Sequence, residues 1–442
     1  MKAYIILKER GIDLLTPLMG KPVVWYMVRA LANAGINNVS LLGDFDCERT
    51  IEELKALFTG DDFSLYTKRH TLEALKEAPD EDDLLVVSGD MPFLSAETVK
   101  EVCDFYFARD RASVTCAIHL PGKHGYDRVF DNDGVLTAII DKQDKWLPDR
   151  LKKRIEYANA GIYAFKGSLL KKGIGILEEK GNKASFNITS VPNMLCESEY
   201  KVYVCHLTAN AADFKRVTTQ RQLADASERK RKIINAGHME AGVRMIDPAT
   251  VYIDAEVEIG AGSVVYPGVI LEGKCVIGGN TVLGPGTHIT DSFVDDGCKV
   301  RQSVIVDTKV GKGTSVGPFA YLRSGANVGA NCRVGSFVEI KNSNMGDESG
   351  MAHLAYMGDA DVGKNVNFSC GAITCNYDGK KKHRTVIEDG AFIGSNANLV
   401  APLRVGKNAF VAAGSTITED VSENALAIAR QKQTEKPDWN KK

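Results

Sequence analysis

"VIVDTKVGKGTSVGPFAYLRSGANVGANCRVG" (residues 304–335) decides how the second half of this chain is built. An aliphatic residue stands before glycine at Val310-Gly311, Val316-Gly317, Val328-Gly329 and Val334-Gly335, at spacings of six or a multiple of six. The same pair recurs at Ile259-Gly260, Ile277-Gly278, Leu283-Gly284, Val362-Gly363, Ile393-Gly394 and Val405-Gly406. A coil of three short strands per turn needs one inward aliphatic residue on each side and a small residue at each corner. The period therefore predicts a parallel β-helix of hexapeptide repeats, a triangular prism. Its outer faces are flat, so trimerisation is the expected assembly.

Working back towards the N-terminus, the texture changes. A charged stretch, "TTQRQLADASERKRKIINAGHMEAG", has no proline and favours helix, which predicts an exposed linking helix over 219–242. A role beyond spacing is not required of it. Before it, strand-like runs at Asn38-Val39-Ser40-Leu41-Leu42, Leu84-Leu85-Val86-Val87-Ser88 and residues 112–118 alternate with helical patterns such as residues 95–109. That alternation predicts a mostly parallel sheet covered by helices over 1–218, an α/β domain of the Rossmann-like kind. The coil would then fill 243–442.

The composition narrows the class. The 442 residues suffice for two or three domains, with 44% hydrophobic and 25% charged residues, an ordinary globular balance. Lys+Arg 55 against Asp+Glu 57 leaves a formal charge of -2, with no global pull towards nucleic acid or an anionic membrane. No run approaches the ~20 apolar residues of a membrane span, and the N-terminus lacks a signal peptide's pattern. The ten cysteines form no C-x-x-C pair, so reduced thiols in a cytoplasmic protein are expected rather than disulfides or zinc.

Within the coil the period breaks at "HLAYMGDADVGKNVNFSCGAITCNYDGKKKHRT", residues 353–385. Interruptions of a solenoid become loops, and loops concentrate function. The segment gathers His353, Tyr356, Asn367, Asn376, Tyr377 and the run Lys380-Lys381-Lys382-His383-Arg384, with Arg323 and Lys341 upstream. Cations on successive turns can line a groove and hold a phosphate, and an imidazole can take a proton from an attacking amine near neutral pH. Taken singly, a lone histidine in a loop also reads as structural, and residues 380–384 as a solvated hairpin tip.

The motifs "GPFAYLR", "VGSFVEIKNS", "HLAYMGDADVG", "ITCNYDG", "LVAPLRVG", "AAGSTIT" and "ENALAIAR" run collinearly within residues 317–439. They closely resemble the acetyltransferase half of a bifunctional bacterial family, glucosamine-1-phosphate N-acetyltransferase fused to N-acetylglucosamine-1-phosphate uridyltransferase, which makes UDP-N-acetylglucosamine. The resemblance implies a left-handed β-helix, a homotrimer with sites between neighbouring prisms, acetyl-CoA as co-substrate and a sugar phosphate as acceptor. It implies that His353 is the general base. Arg323, Lys341, Tyr356 and Asn367 would hold the sugar and its 1-phosphate, and Lys382 would reach that phosphate from a neighbouring protomer. Asn376 and Tyr377 would position sugar and thioester, while Ser395, Ala413 and Arg430 would line the acetyl-CoA channel. Cys370 stands where the family has a small residue beside the thioester.

The first half resembles the family's uridyltransferase domain in outline only. "GKPVVWYMVRALANAGINNVSLLG" fits its first helix and second strand, "VVSGDMPFLS" the strand whose end carries a metal-binding aspartate, here Asp90, and "YANAGIYAF" the segment bearing a sugar-contacting asparagine, here Asn159. The family's L-A-A-G-x-G-T-R-M loop is missing, with five residues between Leu7 and Asp13, and Asp13 stands at a lysine position. The Q-x-x-G-T-G-H-A motif is replaced near "YTKRHTLEAL", and the asparagine of G-V-N-N by Thr218 and Thr219. Nucleotidyl transfer rests on positioning and charge neutralisation. The expectation is therefore an acetyltransferase whose uridyltransferase half is degenerate, with no working metal site, Asp90 being a relic, and Mg²⁺ needed only if that half is active. A fully bifunctional enzyme with a diverged UTP site, or a non-catalytic nucleotidyltransferase-like scaffold, are the alternatives.

Overall fold

The computed structural model describes residues 1–7, 12–43, 52, 54, 56, 58, 64–68, 70–109, 111–122, 125–142, 148, 155–181 and 186–440. Residues 8–11 of the first loop, and Cys47, lie outside them. The chain divides into two compact units, Met1–Ser227 and Glu228–Lys442.

In the first unit strands β1 (Lys2–Ile6), β2 (Asn38–Leu42), β3 (Ser64–Lys68), β4 (Asp83–Ser88), β5 (Ser113–His119), β6 (Arg128–Asn132), β7 (Val135–Ile140), β8 (Tyr157–Lys166) and β9 (Tyr203–Leu207) form one sheet. Their order is β3-β2-β1-β4-β8-β5-β9-β7-β6. Strand β1 runs parallel to β2 and β4, with Ala3 opposite both Val39 and Leu85. The long β8 runs antiparallel to β4 and β5, so the sheet is mixed rather than mostly parallel. Side chains alternate across a strand: Ala3 and Ile5 enter one buried cluster and Tyr4 the other. Helices Val23–Asn33 and Ala96–Phe107 bury Met27, Leu31, Val99 and Val102 in the first cluster, and helix Gly167–Glu179 buries Leu170 and Ile174 in the second. Helix Ala96–Phe107 starts where Ser95 accepts a hydrogen bond from the Thr98 amide at 3.2 Å, the ordinary N-cap device.

Helix Gln220–Glu240 fills the charged stretch. Ala226 joins the first unit's core and Ile234 packs against the core of the second, while the Asn235 amide donates to the Pro248 and Val251 carbonyls at 2.9 and 3.1 Å. No helix of the described residues is long and apolar enough to cross a membrane. Among them the cysteines are free thiols, and burial pushes Cys103 and Cys196 up to about 11.

The second unit is the left-handed parallel β-helix, with three parallel sheets of 11, 10 and 9 strands as its faces. The inward column of the first face runs Val265, Leu283, Val300, Val316, Val334, Met351, Phe368, Ile393 and Val411, each at most 1% exposed. Ile305, Leu322, Ile340 and Met357 point inward on the second face, and Val294, Val310, Val328 and Met345 on the third, each at most 4% exposed. One aliphatic residue per six thus fills the prism, as the period requires.

Small residues at the corners answer to close approach. A Cβ on Gly335 would collide with the Ala352 carbonyl oxygen and come within 2.5 Å of its carbon, backbone against backbone. Such overpacking has no flexible end to yield, so Gly335→Ala should cost about 2–3 kcal/mol. The denaturation midpoint of the coil measures it. A midpoint equal to that of the parent would show that the turn carrying Ala352 and His353 gives way at no cost.

Candidate active site

The break in the period is an insertion between strands Ile373–Cys375 of the second face and Thr385–Ile387 of the third. It folds back on itself: Tyr377 bridges Lys382 and the His383 amide donates to the Asn376 carbonyl at 2.8 Å. Asp378 organises the tip. Its Oδ1 accepts from the Lys380 and Lys381 amides, both at 2.8 Å, and its Oδ2 lies 2.7 Å from Nε2 of His383. Arg384 clamps the base, donating from Nε and Nη2 to the Asp361 carboxylate, both at 2.6 Å. The basic run is thus not a loose hairpin tip. His383 and Arg384 serve the loop itself, and the exposed Lys382 is left facing Lys341.

The amide of Lys381, then His383 and the amide of Lys380, hold the Asp378 carboxyl down to about 2, from an ordinary 3.8. A depressed carboxylate contributes fully above its unfolded value and loses that contribution as pH falls through the folded one. Protection of the Lys380 and Lys381 amides should therefore persist at pH 4 and disappear between about pH 4 and 2. Asp378→Ala should lose it at every pH and raise the KM for a phosphorylated acceptor several-fold with little change in kcat. Protection that ignores pH in this window would exclude Asp378 as the anchor.

On the second face Arg323, Lys341 and Tyr356 come together, because Tyr321, Glu339 and Tyr356 stack in register and Lys341 lies opposite Gly358. Arg323 donates to Glu339 at 2.7 Å and lies over the Tyr321 ring at 5.5 Å. The ammonium of Lys382, with a smaller contribution from Arg323, holds Lys341 below the ordinary lysine range. Two like charges face each other, as in a site that awaits an anion. This proximity lies within one chain.

Gly358 and Asp359 adjoin these side chains, and motif reading passed over them. A Cβ on Gly358 would come within 2.6 Å of Tyr356 Cζ and 2.8 Å of Asn376 Nδ2, so glycine leaves room for the tyrosine ring and the amide. Asp359 is 7% exposed. Burial pulls its carboxyl up, but hydrogen bonds from Asn342 and Asn376 and the charges of Lys382 and Lys341 outweigh it and hold the group below the usual carboxylate range. Asn376 is therefore positioned by Asp359, and the Tyr377 hydroxyl donates to the Gly379 carbonyl at 2.8 Å. The acid beside the "HLAYMG" glycine was the available signal.

His353 ends strand Gly350–His353 on the first face, opposite Ser336, and is exposed at the corner that leads to Tyr356. Cys370, Ser395 and Ala413 occupy the equivalent corner on the next three turns: each precedes a residue with positive φ, Gly371, Asn396 and Gly414, as His353 precedes Leu354. The ladder Gly371 N to Leu354 O, Asn396 N to Cys370 O and Gly414 N to Ser395 O stacks these corners. Past the last, the Thr416 amide donates to the Ala429 carbonyl, next to the exposed Arg430. Asn367 lies on the first face and donates to Ser369 at 2.8 Å, away from the cations of the second face within this chain.

Comparison with known proteins agrees with this architecture. The bacterial transferase hexapeptide family (six repeats) matches residues 307–342 and 384–419, the hexapeptide repeat of succinyl-transferase residues 251–285, and the MobA-like NTP transferase domain residues 13–139. The Bifunctional protein GlmU of Carboxydothermus hydrogenoformans is 40% identical over 424 residues, 95% of this chain and 94% of that one. The chain belongs to the GlmU family. GlmU proteins of Acetivibrio thermocellus and of a Geobacillus species are each 37% identical over 437 residues, 98% of this chain and 94% of theirs.

In the N-terminal half of this GlmU family member, the residues at the positions compared with the family's nucleotide site make hydrogen bonds within the chain. Asp13 is exposed, and its Oδ1 accepts from the Leu15 amide at 2.9 Å in a turn. Both ends of the buried Asn159 amide are engaged, Nδ2 donating to the Tyr163 hydroxyl at 2.7 Å and Oδ1 accepting from the Gly161 amide at 3.0 Å. Thr218 Oγ1 donates to Gln222 at 2.8 Å and Thr219 Oγ1 accepts from the Gln222 amide at 3.2 Å, which caps helix Gln220–Glu240. Asp90 lies in the turn after β4 and is 4% exposed; its Oδ1 accepts from Ser88 at 2.7 Å, and its Oδ2 lies 3.9 Å from Nη1 of Arg216.

Proposed function

We propose that the coil half transfers the acetyl group of acetyl-CoA to the 2-amino group of glucosamine-1-phosphate, yielding N-acetylglucosamine-1-phosphate for UDP-N-acetylglucosamine supply in the cytoplasm. One observation carries the reading: two lysines and an arginine converge on the second face, and His353 stands across one corner from them. Lys341, Lys382 and Arg323 take the 1-phosphate, and Tyr356 bounds the sugar. The small side chains of Cys370, Ser395 and Ala413 leave a track along the corner from His353 towards Arg430. Four steps of about 4.8 Å give about 19 Å, room for an extended thioester arm with its phosphates at the Arg430 end. His353 takes the proton from the amine nitrogen as that nitrogen attacks the thioester carbonyl. Collapse of the tetrahedral intermediate breaks the carbon–sulfur bond, and the departing thiolate receives a proton.

The active form is a homotrimer. Phe337 and Leu354, 59% and 61% exposed on successive corners beside His353, are supported in this reading by a neighbouring prism that covers them. Sedimentation with kinetics checks the assembly; a monomer with full activity would exclude it.

The uridyltransferase half forms no UDP-sugar in this reading. What supports it is the local use of Asp13, Asn159, Thr218 and Thr219, each bound within the chain rather than turned to a nucleotide. The other reading, with both halves turning over, is favoured by the relatives' name. A paired assay of the full chain separates them: acetyl transfer to glucosamine-1-phosphate, and pyrophosphate release from UTP with Mg²⁺. Acetyl transfer without pyrophosphate is expected; UTP turnover would establish the bifunctional reading.

A further inference from the structure

We propose that Arg216 is a built-in cation of the N-terminal half: its guanidinium takes the place of the divalent ion that Asp90 would otherwise hold, so that no metal binds there. Asp90 follows the end of β4, buried, with Oδ1 engaged by Ser88. Its Oδ2 is also buried and accepts no hydrogen bond, the condition of a carboxylate oxygen shaped for a cation. The cation facing it is the guanidinium of Arg216, with Nη1 at 3.9 Å.

The backbone fixes that placement. The Val217 amide donates to the Asp90 carbonyl at 2.8 Å, and Phe214 and Val217, on either side of Arg216, are 1% and 2% exposed. Opposite, Gly161 has a φ of +75°, and a Cβ there would stand 2.6 Å from Nη2 of Arg216. Glycine makes the room that the guanidinium fills.

A divalent ion does not fit these residues. Bound to Oδ2 at about 2.1 Å, Mg²⁺ would stand no farther than about 6 Å from a fixed positive charge. Where the resemblance puts a second metal ligand, the G-V-N-N asparagine, this chain offers Thr218 and Thr219, whose hydroxyls are held by Gln222 in the helix cap. A single carboxylate oxygen already opposed by an arginine is half of a metal site with the other half occupied. This deepens the reading of the N-terminal half proposed above. Its test reads metal binding alone, so metal exclusion and the lack of UDP-sugar formation can fail separately.

The experiment is a Mn²⁺ titration of the full chain followed by the free-ion electron paramagnetic resonance signal. The parent and Asp90→Asn should titrate alike. Arg216→Ala should gain one site per chain, at least about 10-fold tighter than anything in the parent, and Arg216→Ala/Asp90→Asn should lose it. Arg216→Lys, which keeps the charge, should stay like the parent. Far-UV circular dichroism and acetyl transfer by the coil half certify that each variant is folded. A parent site that vanishes with Asp90→Asn overturns the proposal, and so does a folded Arg216→Ala that gains none. Should Arg216→Ala fail to fold, the parent and Asp90→Asn comparison still decides.

Discussion

His353→Ala is expected to lower kcat for acetyl transfer by about 10²–10⁴-fold, the usual loss when a positioned general base is removed. The imidazole is exposed, stands opposite Ser336, and makes no hydrogen bond among the described residues, so its removal takes nothing from the packed prism. The denaturation midpoint should stay where it is. Acetyl-CoA should still bind, because the track of Cys370, Ser395 and Ala413 lies on later turns that His353 does not support. This separates a chemical role from a structural one: Gly335→Ala, directly beneath the same turn, should lower midpoint and activity together. An unchanged kcat in His353→Ala would move the base elsewhere and remove the reason for reading this corner as the reaction centre.

Lys341→Met and Lys382→Met are each expected to raise the KM for glucosamine-1-phosphate about 10–100-fold while kcat changes little, the loss of a charge-assisted contact to phosphate. The penalty should shrink with added salt and vanish when unphosphorylated glucosamine is the acceptor. Without a ligand the two ammoniums repel, and Lys382 holds Lys341 below the ordinary lysine range. The sign follows: repulsion opposes the folded state while both are charged and is relieved as pH rises through the depressed value. Lys382→Met should therefore return Lys341 towards the ordinary range and leave the free protein no less stable, while it weakens substrate binding. Equal losses on phosphorylated and unphosphorylated acceptors would show that the pair holds the loop and not the phosphate.

Much of the fold was legible in residue order. A pattern that repeats every six residues states which side chain points inward on each short strand, and Val310, Val316, Val328 and Val334 are buried as that rule demands. The strand runs of the first half were equally plain, since Asn38–Leu42 and Asp83–Ser88 are apolar stretches between turns. The residue types of the site were legible too. His353 and Lys382 lie in the segment that breaks the period, while Arg323 and Lys341 upstream of it were singled out by the family motifs.

What order alone did not decide is who faces whom. Each turn of the coil sets its lateral neighbour by the number of residues spent at its corners, and the insertion after Cys375 shifts that register again. The hairpin, held by Asp378 and Arg384, thereby sets Lys382 facing Lys341 of its own chain, although 40 residues separate them. Asp359 gave no periodic signal, because its partners Asn342 and Asn376 are one turn before and one turn after it. Arg216 is further still from Asp90 along the chain, and the pair exists because the Val217 amide ends on the Asp90 carbonyl. Local periodicity encodes which way a side chain points. The charges it meets there belong to other turns and other strands, and their placement is a property of the packed chain.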